Sequence, residues 1–208
     1  MSCCITRKIC LSLSSENFLR VENNLSKFDG FIFEVRMDLF ADNVLPEKIL
    51  KSGNRIILTC RGDNCDIKKK IEWAEMTHNL LAIDVAYNSL DFSVLGGYPL
   101  LVSYHDYDTT PDFDALLELY EKLRQLGAEY VKIVTSDYRG DFKRLLNLYH
   151  GAEKERLIAF TMGKTALISR VEALRRGAPF VFAAPDKESP VFAGQPYYED
   201  IIKLYDNE

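Results

Sequence analysis

Eight short runs of apolar and β-branched residues recur along the 208-residue chain, and polar or amphipathic segments separate them. Strands that alternate with helical crossovers are typical of a parallel β-sheet covered by helices. The eight predicted strands are residues 8–13, 31–36, 55–60, 80–85, 99–104, 129–134, 156–161 and 179–184. Eight strands in this alternation predict an α/β fold of the (β/α)8 TIM barrel type.

The segments between the strands carry ordinary helix signals. The clearest helices are predicted over residues 15–27, 66–79, 112–127, 141–150 and 165–177. Gly127 and Gly177 follow two of them, as helix ends favour. The segment 86–98 has the weakest helix signal, so we expect a short or irregular crossover there. No internal repeat or linker interrupts the pattern, and we expect a single barrel domain over residues 1–208.

Composition limits the partners of the chain. A net charge of −5 and a pI near 5.4 argue against nucleic acid or an anionic membrane surface as the main partner, because both attract basic surfaces. The five cysteines lack metal-type spacing, and we expect reduced structural thiols in a cytoplasmic protein without a bound metal. No segment approaches the length of a membrane span.

The carboxyl ends of the predicted strands carry a set of polar and charged residues. In (β/α) barrels the active site is built at this end of the strands and in the loops that follow. The candidates are Glu34, Arg36, Arg61, His105, Lys132, Arg170, Ser189 and Gln195. These residues predict a binding site on one rim of the barrel.

Lys132 interrupts the apolar run from Tyr130 to Val134. Lysine is almost never fully buried without a partner, whereas strand lysines inside barrels often act as nucleophiles. The alternative is a lysine at the rim that extends its amine to water. Burial and neighbouring cations would both favour the neutral amine, which can attack a ketone.

His105 is the only one of the three histidines at a predicted strand end, since His78 and His150 belong to helical segments. Imidazole exchanges protons near neutral pH, which suits general acid and base catalysis. A packed histidine held by a backbone carbonyl is the alternative interpretation.

Arg36, Arg61 and Arg170 favour a substrate that carries a carboxylate, because guanidinium groups bind carboxylates with two hydrogen bonds. Arginines also brace barrel rims, which is the alternative for each of them. Glu34 is expected either to receive substrate hydroxyls or to form an ion pair with Arg36. The segment MGKT (162–165) lacks the glycine that a phosphate-binding P-loop requires at position 158, so nucleotide binding is not expected.

Taken in order, several motifs resemble the type I 3-dehydroquinate dehydratases, from Ile9 to Tyr205. The motifs are FEVRMD (33–38), LTCRG (58–62), SYHDYDTTP (103–111), LGAEYVKIV (126–134), FTMGKTALISR (160–170) and AGQ (193–195). The resemblance implies a (β/α) barrel and a hydro-lyase of the shikimate pathway, which serves chorismate and aromatic amino acid biosynthesis. It implies 3-dehydroquinate as the substrate and no metal or organic cofactor.

The resemblance also implies a role for each candidate. Lys132 would form an imine with the C3 ketone, and His105 would remove the C2 proton and protonate the departing C1 hydroxyl, a syn elimination. Arg170, with Arg36 and Arg61, would bind the substrate carboxylate. Glu34 and Gln195 would bind the ring hydroxyls. The loop that holds Ser189 and Gln195 would close over the substrate.

Two positions depart from the family pattern. The family has a glutamate two residues after the aspartate of strand four, where it partners the histidine, but this chain has Ala86 there. Asp84 is the predicted substitute, with Tyr87 as the second choice. The serine-to-glutamine spacing of the lid, residues 185–197, is also longer than usual. Relatives dimerise or are fused to a shikimate dehydrogenase, so we expect a homodimer and either a single-domain enzyme or one half of a fusion.

Two other functions fit parts of the pattern. One is another Schiff-base barrel, such as an aldolase on a phosphorylated sugar, which needs a Gly-rich phosphate site after strands seven and eight. The other is a barrel without catalysis that serves as a partner or scaffold domain, suggested by Ala86 and the altered lid. Turnover of 3-dehydroquinate separates these two from the dehydratase.

Overall fold

The computed structural model describes residues 5–41, 43–62, 66–89, 92–137 and 142–207, without the side chain of Ser93. Eight strands alternate with helices along this part of the chain. The strands are β1 Ile9–Leu13, β2 Ile32–Arg36, β3 Arg55–Thr59, β4 Leu80–Ala86, β5 Leu100–Asp106, β6 Tyr130–Ser136, β7 Leu157–Met162 and β8 Val181–Ala183. The helices are α1 Phe18–Glu22, α2 Glu47–Leu50, α3 Ile67–Met76, α4 Phe92–Leu95, α5 Phe113–Gln125, α6 Phe142–Leu146, α7 Ala166–Arg175 and α8 Tyr198–Asp206.

All eight strands run parallel in the order β7-β6-β5-β4-β3-β2-β1-β8. Neighbours in the sequence are neighbours in the sheet, and β8 returns to pair with β1. The sheet therefore curls into a nearly closed barrel with the helices around it, which confirms the predicted (β/α)8 fold. The strand residues are almost all buried, and together they form one core.

Helix ends follow the local sequence. The Asp112 carboxylate accepts a hydrogen bond from the backbone N–H of Ala115 at 3.0 Å, which satisfies a free donor in the first turn of α5. Gly127 follows the end of this helix with φ +83°, a conformation that glycine adopts without strain. These two signals place α5 as predicted. The weak segment 86–98 contains only the four-residue helix α4, also as predicted.

Two predicted elements are shorter in the structure. The helix expected over 15–27 is α1 followed by a 3-10 turn at Leu25–Phe28. The side chain of Asn24 donates to the carbonyl of Arg20 at 2.9 Å, so it takes the acceptor that a continuing helix would use. The helix expected over 141–150 is α6, which ends at Leu146, followed by a 3-10 turn at Asn147–His150. Residue 141 lies outside the described residues.

The cysteines and helices bear on two other expectations. Cys10 is a free, buried thiol, whereas Cys60 is disulfide-bonded. The expectation of reduced thiols is therefore wrong for Cys60, because sequence spacing alone did not reveal its pairing. Over the described ranges, none of the helices combines the length and the apolarity needed to cross a membrane.

Candidate active site

A cavity of about 300 Å³ opens at the carboxyl ends of the strands. Five of the predicted site residues line it: Glu34, Arg36, Arg61, His105 and Lys132. The other lining residues are Ser12, Tyr107, Val134, Phe160, Met162, Phe182, Val191 and Phe192. The volume lies at the small end of the range for ligand pockets, so the cavity suits a small molecule.

Lys132 lies on β6 inside the barrel and is only 5% exposed. Its Nζ is 3.3 Å from Oδ2 of Asp84 and 3.8 Å from Oε1 of Glu34. The ring of Phe182 lies 3.8 Å from the same nitrogen. The amine is thus held between two carboxylates and an aromatic face, and it does not extend to water as a rim lysine would.

Asp84 on β4 is the central acceptor of this cluster. Its Oδ2 accepts from Nη2 of Arg61 at 2.7 Å, and its Oδ1 accepts from the hydroxyl of Ser103 at 2.7 Å. Burial raises the pKa of the Asp84 carboxyl, but the positive charges of Arg61 and Lys132 outweigh burial and hold this pKa below its ordinary value. Asp84 is therefore an anion that holds the two cations in place.

This geometry corrects the prediction that Asp84 orients His105. The hydrogen bonds of Asp84 go to Arg61, Ser103 and Lys132. The sequence could not reveal this choice, because all of these groups share one face of the barrel and only their side-chain lengths decide which pairs meet.

Glu34 on β2 is 4% exposed and is also held by neighbouring strands. The hydroxyl of Ser12 donates to its Oε2 at 2.6 Å, and the hydroxyl of Thr59 donates to its Oε1 at 2.9 Å. Arg36, in contrast, makes two hydrogen bonds to Asp38, at 3.0 and 2.7 Å. The alternative of a Glu34–Arg36 ion pair is therefore not what the structure shows.

His105 follows the same inner face at the end of β5. Its ring stacks on Tyr107, with centroids 6.2 Å apart and planes 20° apart. Burial and the positive charges of Lys132 and Arg61 lower the pKa of the imidazole well below 6.5. The ring is therefore neutral at physiological pH and able to accept a proton.

Arg170 on α7 packs behind the cavity wall, with its guanidinium carbon 3.9 Å from the centroid of the lining residue Phe160, and its role in substrate binding stays a prediction. The side chain is fully buried, and Nε donates to the carbonyl of Phe182 at 2.8 Å. Its Nη1 donates to the carbonyls of Thr161 at 3.1 Å and Ala166 at 2.7 Å. Burial lowers the pKa of the guanidinium to about 9, so it is still protonated at neutral pH.

The lid after β8 contributes different residues from those predicted. The hydroxyl of Ser189 donates to the carboxylate of Asp186, 2.9 Å from Oδ1, and Ser189 does not line the cavity. Gln195 lies behind the lining, where its Nε2 donates to the hydroxyl of Ser12 at 2.9 Å. Val191 and Phe192 form the part of the lid that faces the cavity. The lid thus presents apolar side chains to the cavity, while the hydroxyl of Ser189 is held by Asp186.

Sequence reasoning missed the small hydroxyl residues of the site. Ser12, Thr59 and Ser103 bind the two buried carboxylates. Each lies on a strand at a position whose side chain faces inward. Thr59 and Ser103 precede the candidates Arg61 and His105 by two residues, so they share the same face of the strand. A search for polar residues at that parity would have found them.

Comparison with known proteins gives a consistent result. The sequence profile of the family described as Type I 3-dehydroquinase matches residues 9–208. A 3-dehydroquinate dehydratase from Dehalococcoides mccartyi is 25% identical over 197 residues, which is 87% of this chain and 88% of that protein. One from Thermococcus gammatolerans is 36% identical over 106 residues, 50% of this chain and 47% of that protein.

A third relative is longer. The chloroplastic bifunctional 3-dehydroquinate dehydratase/shikimate dehydrogenase of Arabidopsis thaliana is 30% identical over 119 residues, which is 56% of this chain and 19% of that protein. The match to the Thermococcus protein likewise spans less than half of that relative. Among solved structures, the 3-dehydroquinate dehydratase of Aquifex aeolicus has a TM-score of 0.72 at 22% identity, covering 96% of this chain and 97% of that chain. This likeness supports the barrel fold.

Proposed function

The chain belongs to the type I 3-dehydroquinase family, and we propose that it eliminates water from 3-dehydroquinate through an imine on Lys132. The observation that carries the proposal is the buried amine of Lys132 in a small cavity, 3.3 and 3.8 Å from two carboxylates. A buried lysine that faces a cavity can act as a nucleophile toward a ketone. The product is 3-dehydroshikimate.

The first step forms the covalent bond. The neutral amine of Lys132 attacks the C3 carbonyl, and loss of the carbonyl oxygen as water gives an iminium. The ammonium gives up two protons in this step, both of which end on the departing oxygen as water, and the iminium restores the positive charge on the same nitrogen. Asp84 and Glu34 stabilise this charge in a buried site, where electrostatic attraction is stronger than in water.

The second step removes the C2 proton. His105 accepts it, and the electron pair moves toward the iminium nitrogen to give an enamine. The enamine then expels the C1 hydroxyl, which leaves as water after it receives the proton from His105. Hydrolysis of the iminium releases the product and returns the amine. A neutral imidazole is needed for the first transfer, and the low pKa of His105 supplies one.

Arg36 and Arg61 supply the positive charge of the cavity lining, and we assign them to the substrate carboxylate. Both are already paired with carboxylates, Arg36 with Asp38 and Arg61 with Asp84. These pairs hold each guanidinium in place at the cavity wall. Glu34 is assigned to a ring hydroxyl.

The structure argues against the aldolase alternative. A phosphate site would use the backbone N–H groups at the start of α7. The N–H of Thr165 there donates to the carboxylate of Asp137 at 2.6 Å. A phosphate in this position would meet a negative charge, so a phosphorylated sugar is not favoured.

Reduction in the presence of substrate tests the proposed function. The protein is incubated with 3-dehydroquinate and sodium borohydride, and its peptides are analysed by mass spectrometry. We expect an adduct on Lys132, none in Lys132→Met, and wild-type adduct and turnover in the control Lys164→Met, which changes an exposed lysine after β7. Turnover with an unmodified Lys132 would reject the covalent mechanism, and absence of turnover would favour the scaffold alternative.

Pathway, assembly and location complete the proposal. We assign the protein to the shikimate pathway and expect a homodimer, which size-exclusion chromatography with light scattering tests. Fusion to a shikimate dehydrogenase occurs in the Arabidopsis relative. The cytoplasmic location stays a prediction that cell fractionation can check, since a disulfide at Cys60 is uncommon in reducing compartments.

A further inference from the structure

A second cavity lies at the amino ends of the strands, opposite the candidate active site. Its volume is about 590 Å³, within the usual range for ligand pockets. The lining comes from residues 7–8, 29–31, 53–55 and 179, which lie just before or at the start of β1, β2, β3 and β8. We call it the amino-end cavity. It shares no lining residue with the candidate active site.

Three cationic side chains and one carboxylate line the amino-end cavity. The cations are Arg7, Lys8 and Arg55, and the carboxylate is Asp29. None of the three cations forms an ion pair with a carboxylate of the described residues. Three cations minus one carboxylate leave two positive charges in excess, in a chain whose net charge is −5. A concave surface with this local excess attracts anions although the protein as a whole is acidic.

Arg55 is held in place by the sheet. On β3 it precedes Ile57 by two residues, and Ile57 pairs with Glu34, whose side chain lines the active-site cavity inside the barrel. Arg55 therefore lies on the same inner face, one layer closer to the amino ends. Its Nη2 donates to the carbonyl of Arg7 at 2.5 Å, which fixes the guanidinium beside the segment that carries Arg7 and Lys8.

Two further contacts shape the wall of the amino-end cavity. Asn54 is buried, and its Nδ2 donates to the carbonyls of Phe28 at 2.7 Å and Phe31 at 2.9 Å, which leaves Oδ1 as its remaining polar atom. At Gly30, with φ +82°, an added Cβ would lie 3.7 Å from Cγ of Arg7, so the stem of this arginine lies beside the glycine. A preformed wall lowers the ordering cost of binding.

We propose that the amino-end cavity is a second binding site, for a small dianion that carries a phosphate group or two carboxylates. The two excess positive charges match a doubly charged ligand, and Oδ1 of Asn54 can accept a hydrogen bond from a ligand hydroxyl. This inference does not rest on the proposed function, since it concerns the other end of the barrel. The alternative is that the cations only offset the carbonyl ends of neighbouring helices and bind no ligand.

An NMR titration of backbone amides tests the proposal. The protein is titrated with inorganic phosphate and, separately, with succinate, and sodium chloride at the same ionic strength is the reference. We expect amides in residues 7–9, 29–31 and 53–55 to shift and to saturate with one Kd. Lys8→Met and Arg55→Met should each raise this Kd by about tenfold, since each removes one charged donor to the ligand. Lys122→Met, which changes an exposed lysine on α5, is the matched control and should keep the wild-type Kd.

The same spectra separate this site from anion binding at the candidate active site. An anion bound there would shift amides near Arg61 and His105, and Arg61→Met would weaken it, whereas the amino-end Kd should be unchanged in Arg61→Met. Saturation at the amino end with phosphate alone or succinate alone would support the proposal and identify the preferred group.

Three results would overturn the inference. They are shifts confined to the active-site end, equal shifts with chloride, and a wild-type Kd in Lys8→Met. Each would leave the cations with the helix-end role alone. The amide spectrum also reports whether every variant is folded. If Arg55→Met does not fold, because it loses the hydrogen bond to Arg7, Lys8→Met decides the outcome.

Discussion

Replacing Asp84 with asparagine probes the charge balance of the site. The change keeps the shape of the side chain and removes a negative charge that both Arg61 and Lys132 contact directly, at 2.7 and 3.3 Å. Removing one partner of a buried ion pair costs about 3–5 kcal/mol. The Arg61 side chain is 24% exposed, and water screens part of its charge, so we expect about 3 kcal/mol.

Urea unfolding at neutral pH measures this free energy, and a loss of about 3 kcal/mol corresponds to a fall in Tm of roughly 6–12 °C for a chain of this size. Glu129→Gln is the matched control, because Glu129 pairs with Arg156 at 3.1 Å on the surface, where the two side chains are 49% and 37% exposed. Exposed pairs contribute at most about 1 kcal/mol. Equal effects of the two substitutions, or an Asp84→Asn effect below about 0.5 kcal/mol, would refute the assignment of Asp84 as a buried counterion.

The pH dependence adds a second criterion. The pKa of Asp84 lies below its ordinary value in the folded protein. Its contribution to stability is therefore present above the unfolded-state pKa of about 3.9 and is lost as pH falls through the folded-state pKa. The difference in unfolding free energy between wild type and Asp84→Asn should stay constant from about pH 8 to about pH 5 and shrink below about pH 4.

Three further substitutions test other parts of the site. In NMR titrations His105 should titrate well below 6.5, and Lys132→Met should raise this pKa because it removes a nearby positive charge; a wild-type value at or above 6.5 would contradict the geometry. Ser12→Ala should cost about 1 kcal/mol in urea unfolding by breaking the hydrogen-bonded chain between lid and cavity, and wild-type stability would speak against that chain. Gly163→Ala should cost about 2 kcal/mol, since φ is +80° and the new methyl would collide with the Asp137 carboxylate; an unchanged unfolding midpoint would exclude this strain.

The barrel was predictable because strand and helix signals are local. Each apolar run was found within one or two residues of its strand, and the caps of α5 were readable from Asp112 and Gly127. The early end of α1 was harder to predict, because it depends on whether the side chain of Asn24 hydrogen-bonds to the backbone. Such competition between nearly equal partners is settled by the surrounding packing.

The sequence predicted most of the residues that line the cavity, but it did not predict which of them hydrogen-bond to each other. Glu34, Arg36, Arg61, His105 and Lys132 all reach the cavity, since strand ends and side-chain parity follow directly from the sequence. The lid residue Ser189 does not, because its hydroxyl donates to the carboxylate of Asp186. Loop conformation has no periodicity from which it could be predicted.

The amino-acid sequence was enough to predict the order of the strands, the end of the barrel that carries the chemistry, and the residue types gathered there. The folded chain was needed to show that Asp84 holds Arg61 and Lys132, and that Arg170 hydrogen-bonds to carbonyls of both β7 and β8. Hydrophobic periodicity acts along the chain, whereas charges and hydrogen bonds in a buried site choose partners across it. Those choices depend on distances of a few ångströms between strands that are far apart in sequence.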